Sequence, residues 1–443
     1  MRANPTLYQI DTRDWLYRIA RKLNRPPTLD DVPEADLSQL KAQGFDWVWL
    51  LGVWQTGQLA IEISRTNEAW QQSFKEAIPD LQLQDVAGSI FAIQAYTVHT
   101  EFGGNAALAR LRRRLRAHGI SLMLDFVPNH TAIDHPWASA HPDYYVPASE
   151  AEPDPRNYFL VNTNRGPLHL AHGRDPNFPC WPDTLQLNYG NPELQTTMIK
   201  ELAQIATMCD GVRCDMAMLL LPEVYRRTWN IDIQPFWPRA IAAARAISKN
   251  FLLMAEVYWG LEWELQQLGF DYTYDKELYD RLHHGDAASV RGHLTATPEY
   301  QSKSVRCLEN QDEPRVTQAF GEKHKAAAII AYLIRGMRFF HDGQLAGFRL
   351  KPSVHLRRRR SEDPDPDVAT FYNQLLQLLK DDIYQSDWKL LEVDDTNSII
   401  AFQWQTASRT STVAVNYSGQ PAHGTLQTPP REIDLEPWSY LIF

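Results

Sequence analysis

The feature that most restricts the fold is a succession of short apolar runs separated by segments of helical length. The runs are Leu7–Ile10, Trp47–Leu51, Ser121–Phe126, Gly211–Asp215, Phe251–Val257, Phe270–Tyr274, Val305–Glu309 and Met337–Phe340. Each has the length and near-continuous apolarity of a parallel strand buried on both faces. Between them lie amphipathic stretches such as Ala106–Ala117, Glu193–Met208, Arg239–Ser248 and Lys323–Leu333. Eight alternating units in about 380 residues predict an α/β fold, a (β/α)8 TIM barrel. Two segments break the rhythm. Residues 131–189 are rich in Pro, Asn, Asp and His and show little periodicity. A structureless loop of that length does not suit a compact barrel, so a small inserted domain over one rim is expected after strand three. From residue 386 the pattern changes to short strand-like runs, Ser398–Trp404, Thr412–Asn416 and Trp438–Phe443. These predict a C-terminal all-β domain over 386–443, leaving 1–130 and 190–385 to the barrel.

In such a barrel the reactive groups belong at the C-terminal ends of the strands. Four polar clusters stand there: Asp125-Phe-Val-Pro-Asn129-His130, Arg213-Cys214-Asp215, Ala255-Glu256 and Glu309-Asn310-Gln311-Asp312-Glu313. Any one acid at a strand end is as readily a helix cap or turn former. Strand alternation sorts them further. Arg213 and Asp215 share a face while Cys214 turns away, so the guanidinium is expected to lower the Asp215 pKa and keep it ionised. Glu256 follows the apolar run Phe251–Ala255, which is expected to raise its pKa and hold a proton for donation. Two carboxyl groups tuned in opposite senses on adjacent strands suit glycoside hydrolysis. In retaining enzymes they stand roughly 5–5.5 Å apart, close to the spacing of neighbouring strands.

These four clusters, in this order, resemble the four conserved regions of the α-amylase superfamily, glycoside hydrolase family 13. The inserted segment and the C-terminal β-domain resemble that family's domains B and C. The resemblance implies that Asp215 is the nucleophile, Glu256 the acid/base and Asp312 the carboxylate that steadies the transition state. It further implies that Arg213 orients the nucleophile, His130 contacts the sugar and Asp125 supports the local network. The segment Gly88–Tyr96 is similar to the loop that supplies an aromatic platform, with Phe91 as candidate; core packing is the competing role for that ring. The implied substrate is an oligosaccharide or small α-glucoside. An α-glucosyl transferase or phosphorylase with the same covalent intermediate is the alternative, and a non-catalytic carbohydrate-binding relative the second.

Three departures from the family pattern matter. Gln311 stands where His is usual; its amide can donate to a sugar hydroxyl but cannot carry a charge. Met216-Ala217-Met218-Leu219 replaces a stretch that often carries Lys-His, which argues against a calcium-dependent starch-digesting enzyme; the Met218-Leu219 pair is a candidate for keeping water out. Ala95 stands where relatives commonly have Asp. No cofactor is expected; a structural calcium, with Asn129 as candidate ligand, is implied only by the resemblance.

The net charge of −10 argues against a polyanionic partner such as nucleic acid. The basic run Arg357–Arg360 is followed by Glu362, Asp363, Asp365 and Asp367, and a self-neutralising solvated loop is expected. No signal-like or membrane-spanning apolar segment is seen, and Cys180, Cys209, Cys214 and Cys307 lack metal-type spacing. These features suggest a cytoplasmic protein with reduced thiols.

Overall fold

A computed structural model describes residues 2–149, 152–427 and 430–443. Its centre is a closed barrel of parallel strands: β1 (Thr6–Asp11), β2 (Trp47–Leu51), β3 (Ser121–Phe126), β4 (Gly211–Cys214), β5 (Leu252–Ala255), β6 (Tyr272–Tyr274), β7 (Ser304–Arg306) and β8 (Met337–His341). They follow one another in chain order around the ring, β8 closing on β1. Every residue of β2, β4, β5 and β8 is buried, as expected of strands with the barrel interior on one side and helices on the other. All of the apolar runs read from the sequence form the barrel, and the four helical stretches are helices over Gly104–Ala117, Pro192–Met208, Trp237–Ile247 and His324–Leu333.

Three of the strands, β4, β5 and β7, end earlier than their apolar runs. The run from Val305 leaves the sheet after Arg306. Beyond it the Glu309 carboxylate accepts the Val316 N–H at 2.7 Å and pairs with Arg315 at 2.6 Å. Those bonds satisfy backbone and charge in a loop rather than a ladder.

Between β2 and β3 the chain makes an excursion that periodicity did not announce. Strands Trp54–Thr56 and Ile93–Val98 pair antiparallel, and two helices, Gln58–Thr66 and Glu68–Ala77, lie between them. This excursion carries Phe91. After β3, the segment Thr131–Tyr189 contains small sheets of its own. His130–Ala132 pairs with Thr184–Gln186, and Tyr158–Thr163 forms a hairpin with Gly166–Ala171. The three-residue strands are too short to impose a period on the sequence.

At the C-terminus β9 (Asp387–Leu390), β10 (Ile399–Gln405), β11 (Thr410–Asn416) and β14 (Tyr440–Ile442) form an antiparallel sheet, with β12 (Ala422–Gln427) and β13 (Pro430–Leu435) as a separate hairpin. The sheet packs on the barrel through Trp404, whose indole N–H donates to the Leu333 carbonyl at 2.6 Å.

The basic run is not neutralised by its sequence neighbours. Arg357 pairs with Glu101 at 2.5 Å, Arg358 with Asp85 at 2.9 Å, and Arg359 with Asp14 at 3.2 Å and Asp342 at 3.4 Å. Glu362 instead accepts the Arg349 N–H, and Asp365 caps the helix Pro366–Leu379. Glu362 and Asp365 already serve backbone donors, and the arginines reach distant carboxylates that tie this loop to the first two barrel units and to the end of β8.

Candidate active site

Register brings the catalytic candidates together. Arg213 on β4 lies opposite Asp125 on β3 and Met254 on β5. The chain continues past both strand ends: Asp215 N–H bonds the Phe126 carbonyl at 2.8 Å and Glu256 N–H the Cys214 carbonyl at 3.0 Å. Asp215 and Glu256 thereby project from neighbouring positions on one rim. Arg213 joins them. One terminal nitrogen lies 2.5 Å from an Asp215 oxygen, and the other lies 2.6 Å from Glu256 Oε2. Asp125 stands 3.9 Å from the same guanidinium and accepts the Gly52 N–H. The rings of Phe91, Trp49 and Tyr274 surround Arg213 at 5.2, 5.5 and 5.9 Å.

Glu256 is held by two further donors that strand-end reasoning missed. The Tyr258 hydroxyl donates to Oε1 at 2.8 Å, and the Met216 N–H to Oε2 at 2.7 Å. Tyr258 follows two residues behind Glu256, so alternation held a signal for it. Met216 held none: it adopts a left-handed backbone, φ 42° and ψ 47°. That conformation costs about 1–2 kcal/mol for a residue with a side chain, and the hydrogen bond from the Met216 N–H to Glu256 partly offsets it.

The electrostatics correct one expectation. Arg213 does pull the Asp215 carboxyl down, but burial is the larger effect and the pKa is raised. Glu256 is raised too, burial again leading and Arg213 opposing it. The two acids are therefore tuned in the same sense around one shared cation. Burial likewise pushes Asp125 up to about 7 and His130 down to about 3. His130 is thus a neutral imidazole, its ring 5.0 Å from that of Trp181.

Asp312 projects from a loop shaped by Asn310, whose side-chain oxygen accepts the N–H groups of Asp312 and Glu313 at 2.7 and 2.8 Å. Asp312 is solvent-exposed, whereas Asp215, Glu256 and Gln311 are buried. Gln311 donates to Asp312 Oδ2 at 2.6 Å and accepts from Gln9 at 2.6 Å. Met218 and Leu219 are packed in the core, at 0% and 3% exposure. They are therefore not the water-excluding wall their sequence position suggested.

The residues around Asn129 do not fit a calcium ion. Its amide closes on that of Gln186, each donating to the other at 3.1 and 3.0 Å, so both oxygens are engaged by neutral donors. Calcium sites need several free oxygens, usually including carboxylates. Among the described residues no three His, Cys, Asp or Glu side chains converge as a metal site.

The family model described as alpha amylase, catalytic domain, matches residues 85–382. The chain belongs to the alpha-amylase family. Its sequence is 23% identical over 288 residues to Alpha-amylase 3 of Dictyoglomus thermophilum, covering 59% of this chain and 54% of that protein. It is 23% identical over 349 residues to Alpha-amylase MalA of Haloarcula japonica, covering 74% and 47%. The chain thus spans about half the length of the curated relatives it matches. The crystal structure of an alpha-amylase from Lactobacillus plantarum superposes with a TM-score of 0.71 at 22% identity, over 100% of this chain and 98% of that one. That likeness establishes the (β/α)8 barrel with its C-terminal β-sheet as the fold of this alpha-amylase family member. Among the described residues no helix is long and apolar enough to cross a membrane.

Proposed function

We propose that this chain cleaves α-glucosidic bonds of oligosaccharides or small α-glucosides with retention of anomeric configuration. The observation that carries the reading is the placement of Asp215 and Glu256 on the two terminal nitrogens of Arg213 at adjacent strand ends. In the first step an Asp215 oxygen bonds to the anomeric carbon as the glycosidic C–O bond breaks, and Glu256 gives its proton to the departing oxygen. In the second, the Glu256 carboxylate removes a proton from water, whose oxygen displaces Asp215 and regenerates both groups. Arg213 keeps a positive charge beside whichever carboxyl is ionised. Asp312, exposed at the mouth, holds ring hydroxyls as positive charge develops. His130, buried and neutral, stands on the same rim, its Nδ1 3.4 Å from the Asn129 amide nitrogen, and its ring face and edge are proposed to meet the same sugar ring.

The core positions of Met218 and Leu219 remove a reason drawn from sequence for transfer over hydrolysis. The acceptor is read directly from products. Incubation with maltose, sucrose and longer α-glucosides, with and without phosphate, followed by NMR of the anomeric protons, is expected to show free sugar whose first-formed anomer is α. Transfer products or a sugar phosphate as the main species would replace hydrolysis by the transferase or phosphorylase reading. Asp215→Asn is expected to lower turnover by about 10³-fold or more with the fold intact. Absence of turnover in the unaltered protein would support a carbohydrate-binding role instead.

A further inference from the structure

Asp312 is the end of a line of hydrogen bonds that runs through the neighbouring strands β1 and β8. Gln311 Nε2 donates to Asp312 Oδ2 at 2.6 Å. Gln9 Nε2 donates to Gln311 Oε1 at 2.6 Å. His341 Nδ1 lies 2.6 Å from Gln9 Oε1. Gln9 and His341 are register partners on β1 and β8, and both are fully buried, at 0% and 1% exposure. Among the described residues neither hydrogen-bonds to any of the three carboxylates.

Chemistry sets the direction of this line. An ionised carboxylate only accepts, so Gln311 must present its N–H side to Asp312 and its carbonyl to Gln9. Gln9 must then donate to that carbonyl, leaving its own carbonyl to accept from His341 Nδ1–H. The imidazole is thereby fixed as one tautomer, and its other nitrogen has no partner among the described residues. Burial holds His341 neutral, so it supplies a donor without adding a second cation under the site. A line whose members all donate the same way is mutually reinforcing.

We infer that Gln9 and His341 are positioning residues, acting through Gln311 to hold the Asp312 carboxylate in its working orientation. This rests on the reading of the site given above and adds two residues, Gln9 within β1 and His341 at the end of β8, that act through Gln311. It also explains what Gln311 does, since an amide there both accepts from Gln9 and donates to Asp312.

The test uses the full chain and α-glucosyl fluoride, whose fluoride leaves without needing much help from an acid, so turnover reports on Asp215 and Asp312. Gln9→Met fills the space and removes both polar links. Its kcat for fluoride release is expected to fall about tenfold or more while KM stays within about threefold. His341→Leu, one link further away, is expected to lose less, about threefold. In a Gln311→Met background, Gln9→Met is expected to add less than about twofold, because the line is already cut. Independent losses that multiply would overturn the relay and leave only packing roles, as would Gln9→Met with kcat within about twofold of the unaltered enzyme. Circular dichroism and melting curves establish that the variants fold. Should Gln9→Met not fold, Gln9→Asn, one methylene too short to span His341 and Gln311, carries the same expectations. No fluoride release by the unaltered chain would instead remove the functional reading itself, and the relay's catalytic role with it.

Discussion

The Tyr258 hydroxyl can donate to an ionised Glu256 or accept from a protonated one, so a single rotation serves both halves of the proposed cycle. Its donation favours the charged form and opposes burial, which raises the Glu256 pKa. Removing it with Tyr258→Phe is therefore expected to raise that pKa further. A general acid must be protonated in the free enzyme, so the alkaline limb of kcat/KM should move to higher pH. An unmoved limb would mean that Tyr258 does not govern the acid. Asp215 illustrates why local reading of charge falls short. The sequence placed Arg213 on its face, and the ion pair is there at 2.5 Å. Yet the net shift depends on how much water the fold removes, and the partner Arg213 is itself enclosed by rings from β2, β6 and the excursion after β2. Tyr258 was within reach of alternation, whereas the left-handed Met216 obeys no residue preference and could come only from the backbone path.

At the scale of elements, an amide pair, Asn129 with Gln186, joins the inserted segment after β3 to the barrel. Gln186 also donates to the Asn129 carbonyl at 3.0 Å, so these two residues satisfy one another across the junction. A chelator such as EDTA is accordingly expected to leave both the melting temperature and activity unchanged. A fall in either, restored by added calcium, would show that this junction is not the whole of the linkage. The strands around the site were legible because burial on both faces writes itself as continuous apolar runs. The two-stranded ribbons at Trp54–Thr56 and His130–Ala132 were not: three residues cannot establish a period. Phe91 stands in the vicinity of Arg213 because the excursion folds back, an outcome of packing rather than of its own neighbours in sequence.

For the molecule as a whole, the C-terminal sheet shares its inner face with the barrel. Ile400, Phe402, Trp404, Val413 and Val415 belong to the same apolar core as the helix His324–Leu333. Trp404 is fully buried, and its N–H is satisfied by Leu333. Trp404→Ala leaves a large cavity and an unpaired carbonyl, a change expected to cost about 3–5 kcal/mol. Denaturant titration followed by Trp fluorescence would detect it; an unaltered midpoint would mean the sheet adds nothing to barrel stability. The loop Arg357–Arg360 works in the same direction, tying the end of the barrel to its beginning through carboxylates on several different elements.

By itself the sequence determined the barrel, the order of its strands, the change to β-structure after residue 386 and the carboxyl groups at the strand ends. Each follows from period and polarity along a few consecutive residues. Only the tertiary structure decided that one guanidinium serves both Asp215 and Glu256, that burial outweighs it at Asp215, and that Gln311 is linked through Gln9 to His341. Gln9 and His341 are 332 residues apart in the chain and meet because β8 closes on β1. Contacts made by closing a ring leave no periodic trace in the segments that make them.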